Sequence, residues 1–277
     1  MKPRPEAVLA ALLASWVIAG SAHHRERPAA QAPYVERARR EFAFYPGGKI
    51  ELIAALPGNV EIEGWERAAV AVVSERIVYY LADQQARALA AQYPLRIRHG
   101  QTSATIATQG PPASPIAMEA NLKIRVPAAR TDLHIRVFKG DLSVRGVNGW
   151  IEANLTQGNL AVSSVQGYFS AITKEGDLDV ELGGRRWSGQ GFSAVTQRGS
   201  ADLRLPPDYS AALQLETLDG DITVDYPEQT VEGERVPLHV LVKNKARRLT
   251  ASVGEGGAPV KIQTQSGDIR LSATGKP

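Results

Sequence analysis

GDLSVRGVNGWIEANLTQGNLAVSSVQGYFSAITKEGDLDV, residues 140–180, is the stretch that decides how this chain folds. Gly140, Gly149, Gly158, Gly167 and Gly176 stand nine residues apart in it, and the second and fourth positions after each glycine are apolar. The first apolar register reads Leu142, Ile151, Leu160, Phe169, Leu178, and the second reads Val144, Ala153, Val162, Ala171, Val180. Successive side chains of a strand point to opposite faces, so each unit is a short strand with one buried face. A strand repeated at a fixed glycine period predicts stacked coils that bury alternate residues against the coils above and below. The expected fold is all-β, a parallel β-solenoid.

The residue after each glycine alternates between polar and aromatic: Asp141, Trp150, Asn159, Tyr168, Asp177. Two nine-residue units therefore make one coil, about 18–20 residues long. Coils would lie about 4.8 Å apart, and each half has room for a strand of about five residues and a turn. Valine and alanine also alternate along the second register, so complementary sizes on the two walls can fill a thin core.

Working outward, LPGNVEIEGW (56–65) keeps the same order of glycine, polar and apolar residues, and LKIRVP (122–127) and LHIRVFKGDLSV (133–144) alternate. LTQGNLAV (155–162) is an early variant of a motif that recurs as TKEGDLDV (173–180), TQRGSADL (196–203), TLDGDITV (217–224) and TQSGDIRL (264–271). Gly199, Gly220 with Asp221, and Gly267 with Asp268 thus join the turn residues, at looser spacing after Gly176. GPPASP (110–115), GGRRWSGQ (183–190), LPPDY (205–209) and YPEQTVEGER (226–235) read as loops. LADQQARALAAQY (81–93) has helix-forming composition with Leu81, Ala88 and Leu89 in phase, stopped by Pro94, and is expected to cap or flank the stack.

Lys2 and Arg4 precede the apolar run Ala7–Ala19, and Gly20, Ser21 and Ala22 follow it, which is a secretory signal pattern over residues 1–22. The run is shorter than the roughly 20 apolar residues a spanning helix needs. Residues 23–41 show no apolar period and read as a flexible tether, leaving 42–277 as a single solenoid domain with the helical insert. The expected location is outside the cytoplasm, in the periplasm or on the cell surface, with no membrane span after cleavage. There is no cysteine, so a lipobox anchor, disulfides and thiolate metal sites are excluded. Net charge is +3, and removal of Lys2, Arg4 and Glu6 with the signal leaves +2, too little to argue for a nucleic-acid partner.

Chemistry-bearing patterns are few. Asp141, Asn159, Asp177, Asp221 and Asp268 could form an oxygen-rich ladder, but calcium-binding nonapeptide repeats need GGxGxD and each turn here has one glycine. The expectation is that these side chains bond to their own turn backbone, with no metal and no cofactor. The histidines His23, His24, His99, His134 and His239 show no HExxH spacing, and there is no GxSxG or phosphate-cradling loop. Trp150 and Tyr168 each precede an inward position, so both should face outward on one wall, one coil apart. With Arg185, Arg186 and Trp187 of the GRRW segment they form the candidate binding surface for a protein or glycan partner. Unpaired ends of the stack would invite self-association.

The recurring TxxGDIxV segments, LPGNVEIEGW, LKIRVP and the final stretch Gly254–Leu271 resemble the bacterial adhesin-like domain of unknown function, also described as an auto-transporter adhesin domain. The resemblance runs over about Phe42 to Leu271. It implies an exported β-solenoid with no established catalytic residues. No strands for a membrane barrel follow Leu271, so self-translocation is not expected. The functional expectation is a non-enzymatic module for adhesion, envelope scaffolding or partner contact. The alternatives are a carbohydrate-active β-helix lyase or hydrolase, and an envelope stress or signalling partner.

Overall fold

In a computed structural model the described residues are 32–79, 81–110, 118–231, 234–236, 238–243 and 245–275. The signal pattern, residues 23–31 of the tether and most of the GPPASP loop lie outside them. The N-terminal part comprises β1 (Tyr34–Ala43), β2 (Lys49–Ala54), β3 (Val60–Trp65), β4 (Ala69–Val78), the helix α1 (Asp83–Gln92), β5 (Arg96–His99), β6 (Ser103–Thr108) and β7 (Met118–Pro127). The regular part comprises β8 (Asp132–Lys139), β9 (Leu142–Arg145), β10 (Asn148–Gln157), β11 (Leu160–Ser163), β12 (Gln166–Glu175), β13 (Leu178–Glu181), β14 (Gly189–Arg198) and β15 (Ala201–Leu205). It is followed by β16 (Ala211–Asp219), β17 (Ile222–Asp225), β18 (Gln229–Val231), β19 (Glu234–Val236), β20 (Val240–Lys243), β21 (Ala246–Val253), β22 (Pro259–Ser266) and β23 (Ile269–Ala273).

Two large sheets result. One has the order β1-β4-β7-β3-β9-β11-β13-β15-β23-β17, and the other β20-β21-β16-β22-β14-β12-β10-β8-β2-β6-β5. The period fixes the register where it is strict: Leu160 pairs with Leu142 and Leu178, and Phe169 with Ile151, each one period along. Every residue of both apolar registers from Leu142 to Val180 is buried. The valines lie on the first sheet and Ala153 and Ala171 on the second, so large and small residues face one another across the core.

The half-coils are less alike than nine-residue units suggest. β10 and β12 are ten residues long, whereas β9, β11 and β13 are four. Gly149 and Gly167 do not break the longer strands; they let them stack closely, because a Cβ at Gly149 would lie 2.2 Å from the Thr131 carbonyl oxygen. The Gly140, Gly158, Gly176 series instead turns the chain between strands, at φ of +130°, +135° and +144°.

Sequence order and stacking order part at both ends. The coil β2–β3 lies between β6–β7 and β8–β9, and the last coil, β22–β23, lies between β14–β15 and β16–β17. Parallel pairing also gives way to antiparallel pairing at the ends, in β1–β4–β7, β5–β6, and β16–β21–β20.

Other expectations need correction. The tether does not reach residue 41: β1 begins at Tyr34 and pairs with all of β4, because Phe42 anchors it and its charged residues suit an exposed edge. The helix forms within 81–93, but its buried residues are Ala86 and Ala90, while Ala88 is exposed. Those two pack against Leu56, Val78, Met118 and Ala120, and α1 lies against β1 and β4. The YPEQTVEGER stretch contains the small antiparallel pair β18–β19.

Candidate functional site

Parallel stacking at the strand spacing brings residues one period apart into contact. Trp150 and Tyr168 pair directly in β10 and β12, with ring centroids 4.0 Å apart and planes 28° off parallel. Ile151 and Phe169, the next residues, are fully buried, so the two rings stand on the outer wall of the second sheet. Trp150 keeps 38% of its surface exposed. The rings meet face to face along the stack, and the strand neighbour of Tyr168 on the far side is Gly191.

Its own strand holds the Trp150 indole, and the neighbouring strand holds its backbone. The Trp150 backbone N–H donates to Asp132 Oδ1 at 3.0 Å, and its Nε1–H donates to Glu152 Oε1 at 2.8 Å. The other oxygen of Glu152 lies 3.2 Å from His134 Nδ1 on β8. Ile172 and Phe138 are exposed on the same wall, since Ala171 and Thr173, and Val137, are their buried neighbours. The wall thus combines a fixed aromatic pair, further apolar groups and a polar clamp, a composition that suits macromolecular contact.

The GRRW segment divides. Arg185 and Arg186 are exposed, and Arg185 pairs with Asp208 at 3.3 Å. Trp187 is not a surface anchor: it is buried, packs edge-on against Phe192 at 5.5 Å and donates its Nε1–H to the Gly167 carbonyl at 3.0 Å. The reason is local. Phe192 stacks on Phe169 at 4.7 Å, and the indole completes that inward aromatic group while its polar edge finds a carbonyl.

The polar turn residues do something unforeseen in the sequence. They do not bond their own turns; each but the last, Asp221, accepts the backbone N–H of the equivalent residue in the next coil. Asn121 Oδ1 accepts from Asn59 N, Asn59 Oδ1 from Asp141 N, Asp141 Oδ1 from Asn159 N, and Asn159 Oδ1 from Asp177 N, at 2.8–3.1 Å. Asp177 Oδ1 then accepts from Ser200 N, Ser200 Oγ from Asp268 N, and Asp268 Oδ1 from Asp221 N, at 2.8–3.3 Å. Asn59, Asn121 and Ser200 were missed as members; the signal that could have found them is their place directly after Gly58, Ala120 less obviously, and Gly199. Neutral members separate the acids except at Asp268 and Asp221, where Arg247 lies 3.2 Å from Asp221. With one oxygen of Asp141, Asp177 and Asp268 taken by a backbone donor and Asp221 facing Arg247, the ladder is a structural seam. Among the described residues no cluster of three or more His, Asp or Glu side chains could hold a metal ion.

The motif threonine has a matching role. Thr196, Thr264 and Thr217 are buried, and their hydroxyls donate to the carbonyls of Gly176, Gly199 and Gly267 in the adjoining coils, each at 2.8 Å. TxxG is therefore a stacking signature. Elsewhere on the second sheet, Glu216 is held below the usual carboxylate range, first by its hydrogen bond from Arg248 and also by Gln263, against the opposing effect of burial.

A family model described as Toastrack DUF4097 matches residues 131–272. Among solved structures, a candidate cell-adhesion protein from Clostridium sporogenes is similar at 11% identity and a TM-score of 0.44, covering 86% of this chain and 100% of its own. A candidate adhesin from Bacteroides fragilis is similar at 9% identity and a TM-score of 0.39, covering 86% and 97%. A candidate lipid-binding protein from Parabacteroides distasonis is similar at 8% identity and a TM-score of 0.26, covering 84% and 96%. No curated protein matches.

Proposed function

This chain belongs to the Toastrack DUF4097 family, and from that premise we propose that it is an exported, non-enzymatic contact module whose two sheets form one continuous solenoid. The module serves adhesion or envelope scaffolding and engages a protein partner through the outer wall that carries Trp150 and Tyr168. The observation that carries this reading is the exposed, clamped stack of those two rings. Aromatic residues with a polar edge are frequent anchors of protein interfaces. The signal pattern of residues 1–22 supports export, and no described helix is long and apolar enough to cross a membrane.

Bead-coupled protein incubated with envelope fractions tests the reading. Retention that is abolished by protease treatment of the fraction, and left intact by glycosidase treatment, is expected. Retention that responds only to glycosidase would transfer the wall to a glycan partner. Turnover of a cell-wall polysaccharide by the purified chain would replace the module with the carbohydrate-active alternative.

A further inference from the structure

We propose that the end of the stack formed by β1 and β5 is a second contact surface, one that takes an extended acidic peptide as an added strand. The interior changes character there. The inner face of β4 runs from Val70 and Val72 to Ser74 and Arg76, and that of β1 carries Phe42, Arg40 and Glu36. Beyond the valines the core does not close: Ser74 and Arg76, with Glu36, Arg40, Glu41 and Phe42 of β1 and Leu95 and Ile97, line a cleft of about 510 Å³.

The cleft is built rather than frayed. Phe42 stacks on His99 of β5, with centroids 4.1 Å apart and planes 12° off parallel, which ties the two walls together at its base. The Arg76 guanidinium donates to the carbonyls of Ala90 and Tyr93 at the end of α1, at 2.6 and 2.7 Å, and pairs with Glu36 at 2.6 Å. Its charge and donors are thus committed to structure.

Among the described residues β1 and β5 are the last strands of their sheets, so each has an edge there with no strand partner. Arg40 lines the cleft and Arg96 and Arg98 lie on β5, and among the described residues none of the three has an ion-pair partner. Both acids of β1 are paired, Glu36 with Arg76 and Glu41 with Arg39. A second copy of this edge would set Arg37, Arg39 and Arg40 against their like. An acidic strand meets the opposite situation: main-chain bonds supply affinity, apolar side chains enter the cleft and charge selects the partner.

The test is fluorescence anisotropy of the full chain with a labelled alternating Glu-Val decapeptide and its Lys-Val counterpart. Binding of the Glu-Val peptide alone, weakened as salt rises to about 0.5 M, is expected. R40E/R96E/R98E should reduce that binding at least about tenfold, with R96A/R98A giving a smaller loss should the triple variant melt early. W150A/Y168A should leave it unchanged, which separates this end from the aromatic wall. Equal binding of both peptides, or undiminished binding by both arginine variants, would overturn the proposal. So would capture of anionic vesicles in preference to the peptide, or a dimer in sedimentation velocity that the triple variant dissolves.

Discussion

Asp141 Oδ1 accepts the backbone N–H of Asn159 at 2.8 Å, across the boundary between two coils. The turn residue of one coil thus completes the backbone of the next, and the glycine before it makes this approach feasible. A Cβ on Gly158 would lie 2.0 Å from the Gly140 carbonyl oxygen, at a φ of +135° that side-chain-bearing residues rarely adopt.

Gly158→Ala should therefore destabilise by about 3 kcal/mol or more, from steric overlap added to backbone strain. Gly183→Ala, where an added Cβ meets nothing within 4 Å, should stay within about 0.5 kcal/mol. Urea unfolding of both variants checks the contrast, and similar midpoints would contradict the glycine seam.

The buried threonines give a second contrast. Thr196 Oγ1 donates to Gly176 O, whereas Thr173 Oγ1 has no hydrogen-bond partner among the described residues. Thr196→Val should cost about 1 kcal/mol. Thr173→Val should be neutral or stabilising, because it removes a buried hydroxyl that makes no bond. Thermal melting that ranks the two the other way would show that the hydroxyls play no part in stacking.

The last coil predicts an unusual response to truncation. Val260 lies between Phe192 and Leu213, and Leu271 between Leu203 and Val224. Deleting residues 258–277 removes strands from inside both sheets rather than from an edge. Amides of 211–225 should lose their protection from hydrogen exchange while those of 148–163 keep theirs. Retained protection over 211–225 would mean that β16 and β17 dock without β22 and β23.

Glu216 sets an acid dependence. Its carboxyl titrates below the ordinary value in the folded chain, so its contribution is present above the unfolded value and is lost as pH falls through the lowered one. The melting temperature of Glu216→Gln should therefore trail the wild type near neutral pH and approach it below about pH 4. A gap that widens on acidification would show that the Arg248 hydrogen bond does not stabilise the ionised form.

The reading from sequence succeeded where stacking repeats itself. Leu142, Leu160 and Leu178 pair at one constant offset, so the sheet register is written in the glycine period. The position of the last coil was not legible: TQSGDIRL and TLDGDITV carry the same pattern, and either fits beside TQRGSADL. Which one docks there depends on long-range closure, which no local pattern encodes. The candidate site was half legible. Alternation placed Trp150 and Tyr168 outside, but Trp187 sits in a loop without a period, and the space beside Phe192 decided its burial. The direction of the Asp and Asn hydrogen bonds was hidden for a related reason, since the N–H groups of the adjoining coil compete with those of the turn itself.

The central claim is that the wall bearing Trp150 and Tyr168 is the contact surface. Its most direct test is the affinity for protease-sensitive envelope material of wild type, W150A/Y168A, and T156A, the last on the same strand away from the ring pair. The account predicts a loss of at least about 30-fold for the double variant, the scale of an interface anchor, and no change for T156A. Equal affinity for all three would contradict it.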